Sequence, residues 1–449
     1  MRSVSATILD WREPLDVAAG FAEASFALTL LSDGGPFGRW SYLAFDPARI
    51  ETLAPEDARD GLGLLREMLG SGGEQLEGGP PFQGGVAGLM AYEFGDRLEP
   101  LELSRDTDWP DLTLALYPAI LAFDHHQRRV TAIGRGVDEI AANAEAQRAA
   151  AWLGWEPASR REAPPPLALA FEPDASGEAY EAAVADVVGR IAAGEIFQAN
   201  IARAWGGELR PGVRPFDLFS RLVRLSPAPF AAFWRMPGLA LVSHSPERFL
   251  SVGVDGESVQ TRPIKGTRPR GRDAAEDAAL KAELLVSAKD RAENLMIVDL
   301  MRNDLSRVCA PGSVAAPELF AVETYPAVHH LVSTVAGRLA EGRDVADLLG
   351  ACFPPGSITG APKVQAMKVI KRHEPARGPW CGSLFWAGVD GAFDSSVLIR
   401  TAALVERDGG WRFRAQAGAG IVADSDPRAE RLETEAKISG LRRALTEPV

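Results

Sequence analysis

The chain has 449 residues, of which 46% are hydrophobic and 24% are charged, and its net charge is −13 at pH 7. This composition is typical of a globular protein with a large core and two subdomains, and the acidic balance argues against a nucleic-acid-binding protein. No stretch is long and apolar enough to span a membrane, and the first residues lack the apolar run of a signal peptide. The three cysteines lie far apart in the sequence, which argues against disulfides, a zinc site or an iron–sulfur cluster and fits a reducing cytoplasm.

Short strand-like runs separated by turn residues fill the first third of the chain. An Ala-rich segment at 137–153 predicts a helix, and the prolines at 164–166 mark the best domain boundary, because consecutive prolines stop helices. We therefore predict an N-terminal domain at 1–165 and a C-terminal domain at 166–449. The predicted strands are 26–31, 38–45 and 84–92, followed by a strand pair at 112–123 and 128–133.

The C-terminal part alternates helical and strand patterns. Residues 178–193 predict an amphipathic helix, and residues 273–308 are strongly helical with few breaks. Two β-hairpins are predicted, one at about 239–268 that turns at Asp255-Gly256, and one at about 397–422 that turns at 408–410. Antiparallel hairpins mixed with helices favour an α+β layered fold over a Rossmann sheet.

The first hairpin carries an acid on one arm and a lysine on the other. Residues that face each other across a hairpin have numbers that sum to a constant, so a turn centred on Gly256 places Glu247 opposite Lys265. Lys265 lies between Ile264 and Gly266, and partial burial would lower its pKa and make it a nucleophile. A cross-strand salt bridge on a solvated face is the alternative interpretation.

The second hairpin places an arginine beside glycines. About its turn, Arg400 falls near Ala417 and Gly418. The segment Gly418-Ala419-Gly420 offers backbone N–H groups that a ligand can approach closely, because glycine has no Cβ. Together they would form a carboxylate clamp. A glycine bend with a surface arginine explains the pattern equally well.

Acidic pairs recur at helical spacing. Asp290 and Glu293 lie three residues apart, as do Glu430 and Glu433, and Lys437 follows Glu433 by four residues. If the two acidic faces met, they would form an oxygen-only site suited to Mg²⁺. Taken alone, such a pair is far more often a solvated helix face than a metal site, and the spacing does not show that the helices meet.

Two motifs resemble functional sites without matching them. Residues 356–363 lack the spacing of a phosphate-binding loop, and a glycine-rich turn capped by Ser or Thr before a helix at 362–372 fits better. His329 and His330 have no ligand-spaced partner, so we expect a single base or hydrogen-bonding histidine rather than a metal site.

Several segments together resemble the chorismate-utilising enzymes, the group that includes anthranilate synthase component I, aminodeoxychorismate synthase component I and the isochorismate and salicylate synthases. The resemblance is continuous over about residues 177–445 and is looser in the N-terminal third. The segments that carry it are GEIFQAN at 194, SPERF at 245, PIKGTRPRG at 263, DRAENLMIVDLMRNDLSRV at 290, HHLVSTVAGRL at 329, FPPGSITGAPK at 353, LIRTA at 398, GAGIVADSDP at 418 and ETEAK at 433.

The resemblance implies a fold, a branch and a reaction. The implied fold has two subdomains with large antiparallel sheets packed against outer helices. The lysine of PIKGT is similar to the aminodeoxychorismate synthase branch, since anthranilate synthases look like PIAGT there, and Trp380 also fits that branch. The implied reaction converts chorismate and ammonia to 4-amino-4-deoxychorismate, for 4-aminobenzoate and folate synthesis, through a covalent adduct on Lys265.

The resemblance also assigns roles residue by residue. Glu247 matches the general acid/base, and Thr267 and His330 match positions that line the substrate ring. Mg²⁺ is the implied cofactor, with Glu293 and Glu433 as its ligands and Asp290 and Glu430 as supporting carboxylates. The groups that match the family's substrate-binding positions are Arg400, Gly418, Ala419, Gly420, Lys437 and Trp380.

A second subunit is implied as well. No Cys-His-Glu glutaminase segment is present, so the ammonia is expected from a separate glutamine amidotransferase subunit, with free ammonia able to replace it. Leu30-Leu31-Ser32-Asp33 lacks the glutamate of the family's tryptophan-binding LLES motif, and residues 382–386 depart from its GSIGY. The alternatives are an anthranilate synthase, another chorismate-converting relative, or a catalytically silent scaffold that binds an amidotransferase.

Overall fold

A computed structural model describes residues 1–35, 38–155, 166–325 and 328–447. Its strands are β1 Ser3–Asp10, β2 Leu28–Leu31, β3 Trp40–Ala44, β4 Arg49–Leu53, β5 Gly85–Met90, β6 Leu112–Tyr117, β7 Ala119–Asp124, β8 Arg129–Gly136, β9 Glu172–Pro173, β10 Gln198–Glu208, β11 Phe230–Met236, β12 Leu239–Ser245, β13 Arg248–Val252, β14 Ser258–Thr261, β15 Ile264–Pro269, β16 Ala315–Thr324, β17 Val328–Arg338, β18 Gly360–Ala361, β19 Ser383–Gly388, β20 Phe393–Val397, β21 Thr401–Arg407 and β22 Gly410–Ile421. Its α-helices are α1 Pro14–Ala19, α2 Gly61–Leu69, α3 Gly95–Leu98, α4 Glu139–Trp152, α5 Gly177–Ala192, α6 Pro215–Leu225, α7 Ala274–Val286, α8 Ala288–Ser306, α9 Val345–Cys352, α10 Lys363–Ile370 and α11 Pro427–Thr446. Two short 3₁₀ helices lie at Tyr92–Phe94 and Gly356–Ile358.

Over the described residues, the strands form two antiparallel sheets that both halves of the chain share. A 12-stranded sheet has the order β1-β8-β7-β3-β2-β11-β12-β21-β22-β10-β18, with β9 beside β10. A 10-stranded sheet has the order β15-β17-β14-β13-β20-β19-β5-β6-β4, with β16 beside β17. The pairs β2–β11 and β5–β19 join the two halves within each sheet.

The sheets pack face to face with helices on both outer sides. A cluster that includes Tyr42, Leu89, Trp234 and Leu241 fills the space between the sheets. Helices α1, α4, α6 and α11 cover the outer face of the 12-stranded sheet, and α2, α8 and α9 cover that of the 10-stranded sheet. Helices α5 and α10 pack against β10 and β22 of the 12-stranded sheet. This helix–sheet–sheet–helix arrangement buries the apolar side of every layer, and it confirms the predicted α+β fold with outer helices.

The predicted helices are found close to their expected bounds. The segment 273–308 divides into α7 and α8 at Ser287, whose hydroxyl accepts the N–H of Asp290 and caps α8. The predicted Ser/Thr cap before α10 is wrong, because Pro362 occupies the N-cap and Thr359 instead donates to the carbonyl oxygen of Pro355.

The predicted strand at 112–123 is wrong as a single element. It is β6 in one sheet and β7 in the other, and Pro118 separates them. Proline has no N–H to donate to a ladder and fixes φ, so the chain changes sheet there. The proline-rich boundary at 162–166 lies outside the described residues except for Pro166, and the predicted domain limits stay a prediction.

One of the two predicted hairpin registers is observed in the structure, and the other is not. The second hairpin pairs Ala402 with Ala415, which is the predicted register. The first hairpin is confined to β13 and β14, where Ser251 pairs with Gln260, and by this register Ile264 rather than Lys265 falls opposite Glu247. The predicted pairing of Glu247 with Lys265 is therefore wrong as a ladder contact, because β15 pairs with β17 and β12 belongs to the other sheet.

No helix in the described part of the chain is both long and apolar enough to cross a membrane.

Candidate active site

The glycines of β22 lie on a strand edge that is open on one side. The last pair between β21 and β22 is Ala402–Ala415, so the following residues of β22 pair only with β10. The carbonyl oxygen of Trp411 accepts from the N–H of Leu209, the residue after β10, at 2.8 Å. Because this direction alternates along a strand, the N–H and C=O groups of Gly418 and Gly420 point away from β10. Lys437 donates to the Gly418 carbonyl oxygen at 2.9 Å, which shows this direction. Two N–H groups therefore remain for a ligand.

The neighbouring residue of this segment has a different place. The Ala419 side chain is fully buried in a separate apolar cluster that α5 and α10 form with β10 and β22. Its side chain therefore lies on the other face of the sheet from the glycine positions. Only a backbone contribution of Ala419 to a site is compatible with this arrangement.

Lys265 on β15 lies against the face of this segment. Its Nζ lies 3.1 Å from the place where a Cβ on Gly420 would sit. Burial lowers the pKa of Lys265, and Lys437 lowers it further, whereas Glu293, Glu247 and Glu433 raise it. No hydrogen bond or ion pair joins its amine to another residue of the described ranges. A partly buried amine with a depressed pKa and no partner is suited to act as a nucleophile.

Glu247 lies near this amine by a different route from the predicted hairpin ladder. It follows Ser245 where the chain passes from β12 in one sheet to β13 in the other, and it is 4% exposed. Burial raises the pKa of Glu247 to about 7, and the Ser357 hydroxyl, Lys265 and the N–H of Ile264 oppose that increase. The carboxyl can therefore gain or lose a proton near neutral pH.

His330 and Thr267 form a hydrogen-bonded pair on adjacent strands. Nδ1 of His330 lies 2.9 Å from the Thr267 hydroxyl, and the two residues are paired in the β15–β17 ladder. Burial lowers the pKa of His330 to about 3, and the Arg400 guanidinium adds to that effect. The imidazole is therefore neutral at physiological pH and can donate or accept a hydrogen bond.

Arg400 lies where the chain leaves the hairpin ladder. Its φ of 51° turns the backbone, and its carbonyl oxygen accepts from the N–H of His244 at 3.1 Å. Burial lowers the pKa of Arg400, and Glu247 raises it. Within the described residues its guanidinium has no hydrogen-bond or ion-pair partner. A partly buried, unpaired guanidinium has a desolvation cost that an anionic ligand would offset.

The predicted acidic residues face each other across two helices. Lys289 on α8 lies 3.9 Å from both Glu293 and Glu430, so the acidic faces of α8 and α11 do meet. Burial raises the pKa of Glu293 and of Glu430, and Glu433 contributes to both increases. Glu433 itself accepts from Lys437 at 2.7 Å.

The four acids do not form a ready-made metal cage. Asp290 accepts from Arg268 at 3.1 Å and Glu430 accepts from Ser425 at 2.6 Å. Among the described residues, no three metal-ligating side chains lie close enough together to hold a metal ion. Mg²⁺ keeps several waters and takes one or two carboxylates plus substrate oxygens, so the donor chemistry of Glu293 and Glu433 fits that mode and no closed cage.

Gln198 is a site residue to which the sequence patterns assigned no role. It is fully buried at the start of β10, and neither its amide oxygen nor its amide nitrogen has a partner among the described residues. Its Nε2 lies 3.1 Å from the Cβ position of Gly420, as does Lys265 Nζ. The sequence signal was a polar residue inside the apolar strand around GEIFQAN. Ser357, beside Glu247, was also missed, because only the fold brings them together.

Trp380 lies at the edge of this group. It is 3% exposed and belongs to the core cluster under the 10-stranded sheet. Burial raises the pKa of the neighbouring Cys381 thiol, and Glu247 adds to that increase, which places this segment near the acid. The indole Nε1 of Trp380 is buried without a partner among the described residues.

Comparisons with known proteins agree with this geometry. The family model described as chorismate binding enzyme matches residues 35–443. Aminodeoxychorismate synthase component 1 of Salmonella typhimurium is 38% identical, over 98% of each chain. Anthranilate synthase component 1 of Streptomyces coelicolor is 39% identical, over 94% of this chain and 84% of the relative.

A solved structure agrees as well. The crystal structure of anthranilate synthase component I from Streptococcus pneumoniae superposes with a TM-score of 0.80 and 29% identity, over 90% of this chain and 92% of that one. The family model covers most of the chain, and the relatives match nearly its full length. The chain therefore belongs to the chorismate binding enzyme family.

Proposed function

We propose that this protein is an aminodeoxychorismate synthase component I, which converts chorismate and ammonia to 4-amino-4-deoxychorismate. The observation that supports this most is Lys265, a partly buried amine without a partner that lies beside Gly420 of β22. Relatives that carry the name aminodeoxychorismate synthase component 1 match it over nearly the whole chain.

The nucleophile and the acid are both prepared by burial. The free amine of Lys265 would form a bond to C2 of chorismate while both ring double bonds shift and the C4–O bond breaks. Glu247, whose pKa of about 7 leaves it partly protonated near neutral pH, would give its proton to the departing hydroxyl, which leaves as water. Ammonia would then bond to C4 and expel the lysine, and Glu247 would recover a proton from the new ammonium.

The anionic groups of chorismate would be held by the unpaired cation and the strand edge. Arg400 and the N–H groups of Gly418 and Gly420 offer donors for a carboxylate. His330, neutral and hydrogen-bonded to Thr267, would border the ring. Lys437, which links Glu433 and the Gly418 carbonyl, would lie beside a second carboxylate.

Magnesium is part of this proposal. Glu293 and Glu433 would hold the ion, with Asp290 and Glu430 as supporting carboxylates. A bound Mg²⁺ would neutralise negative charge on the substrate and on these acids. Lys289, which lies 3.9 Å from two of the acids, would have to yield to it.

A separate amidotransferase subunit is the proposed ammonia source. The relatives are named as component 1 of their enzymes, which implies at least one further component. Free ammonia should substitute for that subunit in vitro. A cytoplasmic location, favoured by three buried free cysteines, is likewise a prediction.

Anthranilate synthase is the second candidate, because such a relative is 39% identical over most of the chain. The discriminating residue is Lys265, since the anthranilate synthases of the family look like PIAGT at this position. A silent scaffold is disfavoured, because the acids, the lysine and the arginine are all retained.

The test is product identification. The protein is incubated with chorismate, Mg²⁺ and ammonium at mildly alkaline pH, and the product is separated with and without an added aminodeoxychorismate lyase. Aminodeoxychorismate that becomes 4-aminobenzoate supports the proposal. Anthranilate or isochorismate as the main product would overturn the assignment, and no turnover even with a glutaminase partner would favour the scaffold.

A further inference from the structure

A buried arginine behind the site carries a role that the reaction chemistry does not assign. We propose that Arg377 is a positioning residue that fixes the turn carrying Ser357 in its place against the Glu247 carboxyl. This inference rests on the proposed function, because it concerns the same acid. The Arg377 side chain is 1% exposed, so it lies in the protein interior.

The guanidinium joins three separate parts of the chain. It donates to the carbonyl oxygen of Ile358 at 3.1 Å and to that of Asn200 at 2.7 Å. It also forms two bonds to the Glu374 carboxylate, at 2.9 and 3.1 Å. Burial lowers the pKa of Arg377, and the Glu374 carboxylate outweighs that effect, so the charge is retained. A planar fork of donors is the group that can satisfy these acceptors together.

The two carbonyls lie next to residues of the site. Ile358 follows Ser357 in the short 3₁₀ helix at Gly356–Ile358. The Asn200 amide also donates to the Ile358 carbonyl oxygen, at 3.1 Å, and lies 3.0 Å from the Cβ position of Gly418. The bonds of Arg377 therefore hold the turn and the strand β10 together, at the point where the turn meets Glu247 and the strand meets the glycines.

Other residues hold the arginine itself in place. Its guanidinium carbon lies 4.5 Å from the centroid of the Tyr92 ring and 5.0 Å from that of the Trp380 ring. Its backbone N–H donates to Glu93 at 2.7 Å. Glu93, on the N-terminal half of the chain, also accepts from the N–H of Gly378 at 3.0 Å. These contacts together fix the position of Arg377, and therefore also the position of the groups that it binds.

The test compares pH profiles of kcat/KM for chorismate at constant free ammonia. The variants are Arg377→Lys, Ser357→Ala and the double variant. Lysine keeps the charge but cannot reach both carbonyls and Glu374 at once. The groups that face Glu247 with charge are Lys265, Arg400 and Lys437, and all three stay unchanged. Arg97→Lys is the matched control, because Arg97 bridges Asp111 and the carbonyl of Ala54 away from the site.

In the pH profile of kcat/KM, the limb near pH 7 reports the titration of Glu247. Both single variants are expected to move this limb upward by about 1 pH unit, the effect of losing one hydrogen bond to a charged group. The double variant should move it no further than the larger single shift, because both changes remove the same contact. The Arg97→Lys control should lower thermal stability without moving the limb.

An unmoved limb in Arg377→Lys, or shifts that add in the double variant, would overturn the proposal. If Arg377→Lys does not fold, Glu374→Gln takes its place, because the amide keeps the shape and loses the charge, and an unmoved limb in that variant also overturns it. The wild-type product identifies the reaction independently, so failure of the proposed function and failure of this inference are distinguishable.

Discussion

The substitution Gly420→Ala tests the position of the lysine amine directly. An added Cβ would lie 3.1 Å from Lys265 Nζ and 3.1 Å from Gln198 Nε2, which is tighter than an ordinary contact. The φ of Gly420 lies outside the left-handed range that favours glycine, so alanine causes no backbone strain there. The nearest atoms are the ends of side chains, so we expect the amine and the amide to move while the sheet stays intact.

The expected loss can be bounded. Extra volume in a filled space typically costs about 1–3 kcal/mol, which corresponds to roughly a 5- to 150-fold loss of rate if the reacting geometry bears all of it. We therefore expect ammonia-dependent kcat/KM to fall about 10- to 100-fold, with little change in the midpoint of thermal unfolding.

The assay follows chorismate consumption and product formation with ammonium, alongside calorimetry. Gly206→Ala is the matched control, because Gly206 lies in the same β10–β22 ladder and its Cβ would meet Phe413 at an ordinary 3.5 Å. Full activity of Gly420→Ala would refute the argument that the Lys265 amine reacts beside Gly420. A large loss of stability with a matching loss of active protein would refute it equally.

Three further predictions concern the charged groups. Lys265→Ala should abolish or greatly lower ammonia-dependent formation of aminodeoxychorismate and shift product toward anthranilate; unchanged product would exclude the nucleophile role. Because the pKa of Glu247 is raised to about 7, kcat/KM should change with pH through one limb near 7, and Glu247→Gln should remove that limb along with most of the activity; a surviving limb would assign it to another group. Glu293→Gln should weaken Mg²⁺ binding measured by calorimetry as well as activity, and wild-type binding of the ion would contradict the ligand assignment.

Local patterns predicted most of the helices and strands and the register of one of the two hairpins. The second hairpin keeps its predicted register, because a tight turn at 408–410 fixes the pairing of the strands that it joins. The glycines at 418 and 420 share one face for the same reason, since side chains alternate along a strand. The amphipathic helices were also found near their expected bounds.

For the first hairpin, pairing residues by their distance from the turn fails beyond the first few pairs. Its register holds only near the turn, since β12 and β13 belong to different sheets and the chain crosses between them at 245–247. Glu247 and Lys265 nevertheless influence each other's pKa. The tertiary fold, through β13 and β15 of the 10-stranded sheet, brings the acid and the amine near each other, and no local pattern encodes that arrangement.

Sequence alone determined the residue types of the site, the helices and strands that carry them and, through resemblance, the family. Only the tertiary structure placed Gln198 near the amine, Ser357 beside the acid and Arg377 against the turn that carries Ser357, since these residues come from elements far apart in the chain. The shifted pKa values of Lys265, Glu247 and His330 arise first from burial. Burial depends on how both sheets and their helices exclude water together, so a local sequence pattern cannot specify it.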